Sequence, residues 1–296
     1  MIDVLIWMAI LPSAILIYRV LRLDKVEEEP PGLLMKVFLF GALSCIPASI
    51  LEAVGDSLLM NIVTSEMAYA IGMFLIVVPF SEEGVKYLAM RAVRKRPEFN
   101  YTFDGIVYGV MAILGFATLE NVLYVVGLSD IGVAFARAVL SVPLHCVCGV
   151  FLGYYYGLAH RYKALGNQSQ ANLNRLLALF VPAIIHGIYD FSLAIDDVSV
   201  TISGLVFTLA VFLLAVRRVR LSSDRDEAFW GGFQTPVPAV QQQAYQQPQQ
   251  VSTQQWQPVP EEWQPQPLQS QNTDVSSRIV SDYGQKGQIP PSPPRK

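Results

Sequence analysis

The chain has 296 residues, 52% of them hydrophobic and only 15% charged, with a formal net charge of −3. Soluble domains average about 25% charged residues, so composition excludes an ordinary soluble enzyme and points to the lipid bilayer. The three cysteines, Cys45, Cys146 and Cys148, all lie in apolar stretches and read as small buried hydrophobes, not as a disulfide framework or a metal or redox site.

A bilayer core about 30 Å thick takes ~20 helical residues to cross. Seven stretches qualify, at 3–22, 33–55, 67–90, 104–126, 132–159, 174–195 and 199–219. The first follows Met1-Ile2-Asp3, which lacks the positive start of a secretory signal, and reads as a retained helix. Lys and Arg cluster after the first stretch (Arg19, Arg22, Lys25), after the third (Arg91 to Arg96), between the fifth and sixth (Arg161, Lys163, Arg175) and after the seventh (Arg217, Arg218, Arg220). The connections 56–66, 127–131 and 196–199 have none. The positive-inside rule therefore predicts a multi-pass protein of the cell membrane with its N-terminus outside and its C-terminus in the cytoplasm. The expected fold class is all-α, a polytopic bundle of about seven transmembrane helices. Residues 1–221 form the membrane domain, with a motif core at 67–195. From Ser222 to Lys296 the chain turns rich in Gln and Pro, a composition that cannot bury enough apolar surface to offset chain entropy. This segment reads as a disordered cytoplasmic tail. It is either a solubilising tail or, through its Pro-rich runs, a docking segment for a cytoplasmic partner.

Four of the spans carry groups that hydrocarbon penalises. A charged side chain at the centre of a membrane helix costs roughly 2.5–3.5 kcal/mol. The third span holds Glu82, Glu83 and Lys86, spaced so that Lys86 can reach either carboxylate on a helix. Two neighbouring carboxylates in a low-dielectric site suit general acid–base work; the competing explanation is a cluster snorkelling toward the basic face. The fourth span holds Glu120 and Asn121, with Phe116, Glu120 and Tyr124 on one face. Asn121 alone is also explained as interhelical glue. In the fifth span Arg137, Ser141, His145, Gly149, Gly153 and Gly157 recur every four residues. The glycines form a small-xxx-small packing seam, and His145 stands where it begins. His145 reads as a catalytic candidate or as a hydrogen-bonded packing residue. Arg137 is expected to pair with Asp190 or Glu120. The sixth span holds His186 and Asp190 on one face, where a carboxylate fixes the tautomer of an imidazole. His160, beside Arg161, reads as an interfacial surface residue.

Together these elements resemble the PrsW family of multispanning membrane proteases: EExxK at Glu82, Glu83 and Lys86, FxxxEN at Phe116, Glu120 and Asn121, the separate His145, and HxxxD at His186 and Asp190. The resemblance covers roughly residues 33–220, and the elements come in the expected order. The related CAAX-processing and Abi-type proteases carry EExxxR, FxxxH and HxxxN/D instead, so the match favours the PrsW branch. It implies a peptidase that cuts a membrane-anchored protein in or near the bilayer, with an anti-sigma factor as the substrate type. No nucleic-acid partner is expected.

Peptide hydrolysis needs an activated water and a stabilised oxyanion. In a metal-free mechanism, which the residues alone favour, Glu82 or Glu83 works with His145 on the water. His186 and Asn121 donate to the oxyanion, Asp190 orients His186, and Lys86 offsets charge. In the alternative, His145, His186 and a glutamate such as Glu83 hold Zn²⁺, although no HExxH spacing is present. Outside the proteases, intramembrane acids and histidines also occur in proton- or ion-coupled transporters, but no repeated halves are seen here. A non-enzymatic scaffold acting through its tail is the remaining reading.

Overall fold

The computed structural model describes residues 2–229. Its helices are α1 (Ile2–Leu21), α2 (Pro31–Leu43), α3 (Cys45–Ile62), α4 (Glu66–Ala92), α5 (Thr102–Leu128), α6 (Ile131–Ala164), α7 (Gln168–Ala194) and α8 (Val198–Asp224). Helices α2 and α3 form one continuous crossing, so seven spans are long and apolar enough to traverse a bilayer. Each expected span is found. The second is longer than expected and breaks at Ser44. Pro47 explains the break, because it has no amide hydrogen for the Leu43 carbonyl. The Ser44 hydroxyl donates instead to the Gly41 carbonyl at 2.6 Å.

The outward faces carry large apolar side chains such as Trp7, Leu58, Ile202 and Leu213, each more than half exposed. Lipid is the solvent that makes such a surface stable. Polar groups are turned inward around α5, which is buried along most of its length and packs against α6, α2 and α1. Glycines permit this density. The seam on α6 faces a second pair on α5. A β-carbon at Gly109 would lie 2.6 Å from the Gly149 carbonyl oxygen, and one at Gly153 would collide with the Gly105 carbonyl. Backbones this close need small residues on both sides.

Prolines shape the site helices. Two π-helical stretches, Ile71–Val77 in α4 and Arg137–Ser141 in α6, run directly into Pro79 and Pro143. Pro182 lies inside α7, which stays helical through it. Widened turns of this kind accommodate a missing amide and are frequent at functional sites. Each proline lies within four residues of a candidate catalytic side chain, namely Glu82, His145 and His186.

Two expectations change. Helix α8 runs to Asp224, and residues 225–229 dock on the entry to α5 through a bridge between Tyr101 and Ala228 and the buried Phe229. Residues 222–229 therefore belong with the membrane domain. The expected disorder of residues 230–296 lies outside the described residues. His160 is not a surface residue: it is half-buried, its ring packed against Phe99 and Tyr156 with centroids at 4.8 and 4.9 Å.

Candidate active site

The four polar elements meet. On α4, Glu82 and Glu83 turn inward and Lys86 is fully buried between them, its Nζ at 2.7 Å from Glu82 Oε2 and 2.9 Å from Glu83 Oε1. Lys86 therefore serves both carboxylates and does not snorkel. Its ammonium also sits 4.0 Å above the ring of Phe116, a cation–π contact that gives the aromatic of FxxxEN a role unread from spacing.

The two histidines face the glutamates from α6 and α7, with ring centroids 5.2 Å apart. His145 Nδ1 lies 3.3 Å from Lys86 Nζ, and His186 Nδ1 lies 3.0 Å from Glu83 Oε1. Their other nitrogens face outer carboxylates: His145 Nε2 is 3.1 Å from Glu120 Oε2, and His186 Nε2 is 3.2 Å from Asp190 Oδ2. Each imidazole is thus held between EExxK and an orienting carboxylate. Asp190 orients His186 as its spacing predicts, and Glu120 does the same for His145 from a different helix.

Of its two expected partners Arg137 takes Glu120, at 2.7 Å, and not Asp190. It also donates through Nε to Asn121 Oδ1 at 2.6 Å and lies 3.9 Å from the Tyr124 ring centroid. Asn121 is 1% exposed and its Nδ2 is buried without a partner. Its oxygen holds Arg137, and it does not line the cavity described next.

A cavity of about 1020 Å³ opens onto this constellation. Glu82, Glu120, Arg137, His145, His186 and Asp190 line it, whereas Glu83 and Lys86 lie behind the wall. It extends past Gly127, Leu128, Leu193 and Ala194, toward the face whose connections carry no Lys or Arg. Glu52 on α3 is also on the wall. Motif reading missed it because it belongs to none of the four polar elements, although an intramembrane carboxylate is itself a signal.

The model of the PrsW family of intramembrane metalloproteases matches residues 29–216. The chain belongs to the PrsW family. It is similar to the protease PrsW of Clostridioides difficile (strain 630), 34% identical over 197 residues that make up 64% of this chain and 79% of that protein. The protease PrsW of Bacillus subtilis (strain 168) is 34% identical over 189 residues, 61% of this chain and 78% of that protein. That of Geobacillus kaustophilus (strain HTA426) is 32% identical over 234 residues, 78% and 94% of the two chains. No solved structure matches. The chain is therefore a membrane endopeptidase of PrsW type, which sets aside the transporter and scaffold readings.

The PrsW family is described as one of metalloproteases, which favours the metal-dependent alternative over the metal-free mechanism. The residues fit a metal. Ligand atoms of Glu82, Glu83, His145 and His186 all lie within 4.8 Å of one another, and Glu83 Oε2 is buried without a partner. Two imidazoles and two carboxylates are a donor set that zinc accepts. The outer nitrogens of both histidines are held by Glu120 and Asp190, the arrangement that orients ligating imidazoles. Glu82, Glu83, Glu120 and Asp190 against Lys86 and Arg137 also leave two negative charges unbalanced when the imidazoles are neutral, which a divalent cation offsets.

Proposed function

We propose that this PrsW protease hydrolyses a peptide bond of a membrane-anchored protein, presented through the cavity from the face without basic connections. The observation that carries this reading is Glu82, His145 and His186 converging on one cavity wall between antiparallel helices. By the positive-inside rule that face is extracytoplasmic, with the N-terminus outside and the C-terminus in the cytoplasm. A cut there on a single-pass protein is a site-1-type regulatory cleavage, and an anti-sigma factor is the substrate type that the family resemblance implies.

Glu83, His145 and His186 would hold the metal, which when bound would lower the pKa of water at its open position and polarise the scissile carbonyl, leaving Glu82 free of it. Glu82, on the cavity wall, takes the proton of the attacking water and returns it to the leaving amine. Glu120 and Asp190 fix the tautomers and ring planes of His145 and His186. Lys86 holds the two glutamates in place and offsets their charge. Arg137, anchored by Asn121, holds Glu120 against His145 and presents a cationic edge to the cavity.

Comparison of membrane proteomes from parent and Glu82→Ala/Glu83→Ala cells tests the reading. A single-pass protein should accumulate uncut in the variant, with the cut in its extracytoplasmic juxtamembrane part. No accumulating protein, or a cut on the cytoplasmic side, would overturn it. A reporter fused after Arg220 should read cytoplasmic.

A further inference from the structure

A second cluster of acids lies at the opposite end of the bundle. Asp24 and Glu29 come from the α1–α2 connection and Asp104 from the first turn of α5, with ligand oxygens of all three within 4.8 Å of one another. Glu29 is 6% exposed and Asp104 is fully buried. Each uses one oxygen in the protein. Asp104 Oδ2 accepts from the amides of Asn100 and Tyr101 at 2.9 and 2.7 Å, and Glu29 Oε2 accepts from the Tyr108 hydroxyl. Each leaves its other oxygen, Asp104 Oδ1 and Glu29 Oε1, buried without a hydrogen-bond partner. Both oxygens of Asp24 are buried without a bond of ordinary geometry, though the Val26 and Glu27 amides approach it. Nearby, Asp226 Oδ1 accepts from the Thr102 hydroxyl and the Phe103 amide, and its Oδ2 is left bare.

None of the four carboxylates joins an ion pair among the described residues. Charges so placed demand compensation. Burial first, then the neighbouring Asp226, pushes the Asp24 carboxyl up to about 7. Burial likewise lifts Glu29 to about 7. A shared proton would bridge Glu29 and Asp104, which are within hydrogen-bonding reach of each other. It would leave Asp24 unserved, whereas a divalent cation can take one bare oxygen from each of Asp24, Glu29 and Asp104.

We propose that Asp24, Glu29 and Asp104 form a binding site for a hard divalent cation, Mg²⁺ or Ca²⁺, separate from the catalytic centre. The ligands are all oxygen, which suits these ions, whereas the catalytic cluster offers imidazole nitrogen. The bound cation ties the α1–α2 connection to the start of α5, beside the 225–229 segment that leads into the C-terminal region.

Full-length protein, purified in detergent, stripped with chelator and dialysed at pH 7.5, is titrated with MgCl₂ or CaCl₂ at constant ionic strength while Tm is followed. At a hundredfold excess over Kd the rise should be on the order of 5–10 °C, saturable and not reproduced by NaCl. Asp104 also caps α5, so Asp104→Asn can fail to fold; Glu29→Gln keeps that cap and is the deciding variant. Glu29→Gln and Asp24→Asn should fold and lose most of the shift, whereas Glu83→Gln should retain it. No shift in the parent, stabilisation by low pH alone, an unchanged shift in Glu29→Gln, or its loss in Glu83→Gln each overturns the proposal.

Discussion

Replacing Lys86 by Met tests the logic of the buried centre most directly. Lys86 is fully buried and bridges two carboxylates at 2.7 and 2.9 Å. Methionine keeps an unbranched apolar stem of similar length, so little packing volume is lost, but the ammonium disappears. Breaking a buried ion pair from one side costs about 3–5 kcal/mol, because the remaining charge stays buried and uncompensated. Here two glutamates are stranded, and the contact over the Phe116 ring, worth roughly 0.5–2 kcal/mol, is lost too. Lys86→Met should therefore destabilise metal-stripped protein by about 3–5 kcal/mol. That is a large share of the ~5–15 kcal/mol by which typical domains are stable. Denaturation in mixed micelles followed by circular dichroism gives the difference. Glu83→Gln in the same background closes the cycle. The double variant should be less destabilised than the sum of the singles, with a coupling of roughly 0.5–3 kcal/mol. A Lys86→Met protein within about 0.5 kcal/mol of the parent, the range of ordinary surface substitutions, or strict additivity, would refute the view that one lysine compensates both glutamates.

Other outcomes follow from the same geometry. Chelation should abolish peptidase activity and Zn²⁺ restore it, with Glu83→Gln and His186→Ala lowering bound zinc measured by elemental analysis; full activity in chelator would contradict the metal fit. Arg137→Lys should lower kcat/KM about 10–100-fold, the range for lost ligand-orienting partners, because an ammonium cannot hold Glu120 and Asn121 as a guanidinium does; Arg137→Met should be no better. Gly153→Leu should cost at least ~1–3 kcal/mol through overpacking against α5, while Gly127→Ala, which meets nothing within 4 Å, should be neutral in the same unfolding assay. Finally, Asp24 and Glu29 titrate near 7 in the folded protein, against ordinary values of 3.8 and 4.5. Between about pH 4 and 7 the folded state then holds protons that the unfolded chain has released, and stability falls as pH rises through that window. In chelator, the Tm of the parent relative to Glu29→Gln should drop from pH 5 to pH 7.5; a relative rise would reverse the sign and refute the assignment.

Composition and spacing determined the class of the molecule. Seven apolar runs can satisfy their backbone groups in lipid only as helices, and the basic residues that close alternate runs predict orientation. The i, i+3 and i, i+4 spacings of Glu82, Glu83, Lys86, His186 and Asp190 are local, so their pairings were legible within single helices. What joined the helices was not. That Lys86 serves both glutamates, that each histidine is clasped between an inner and an outer group, and that Asn121 holds Arg137 all depend on rotation and depth. The π-helical turns before Pro79 and Pro143 locally alter both. An ideal-helix projection therefore does not yield a contact between helices such as that of Glu120 with His145. Acids scattered through the sequence at Asp24, Glu29, Asp104 and Asp226 gave no motif at all. They meet only because the glycine seams let α5 sink into the bundle and bring its first turn to the α1–α2 connection. Periodicity settles which face of a helix is apolar, but close packing between helices decides which polar groups share one pocket.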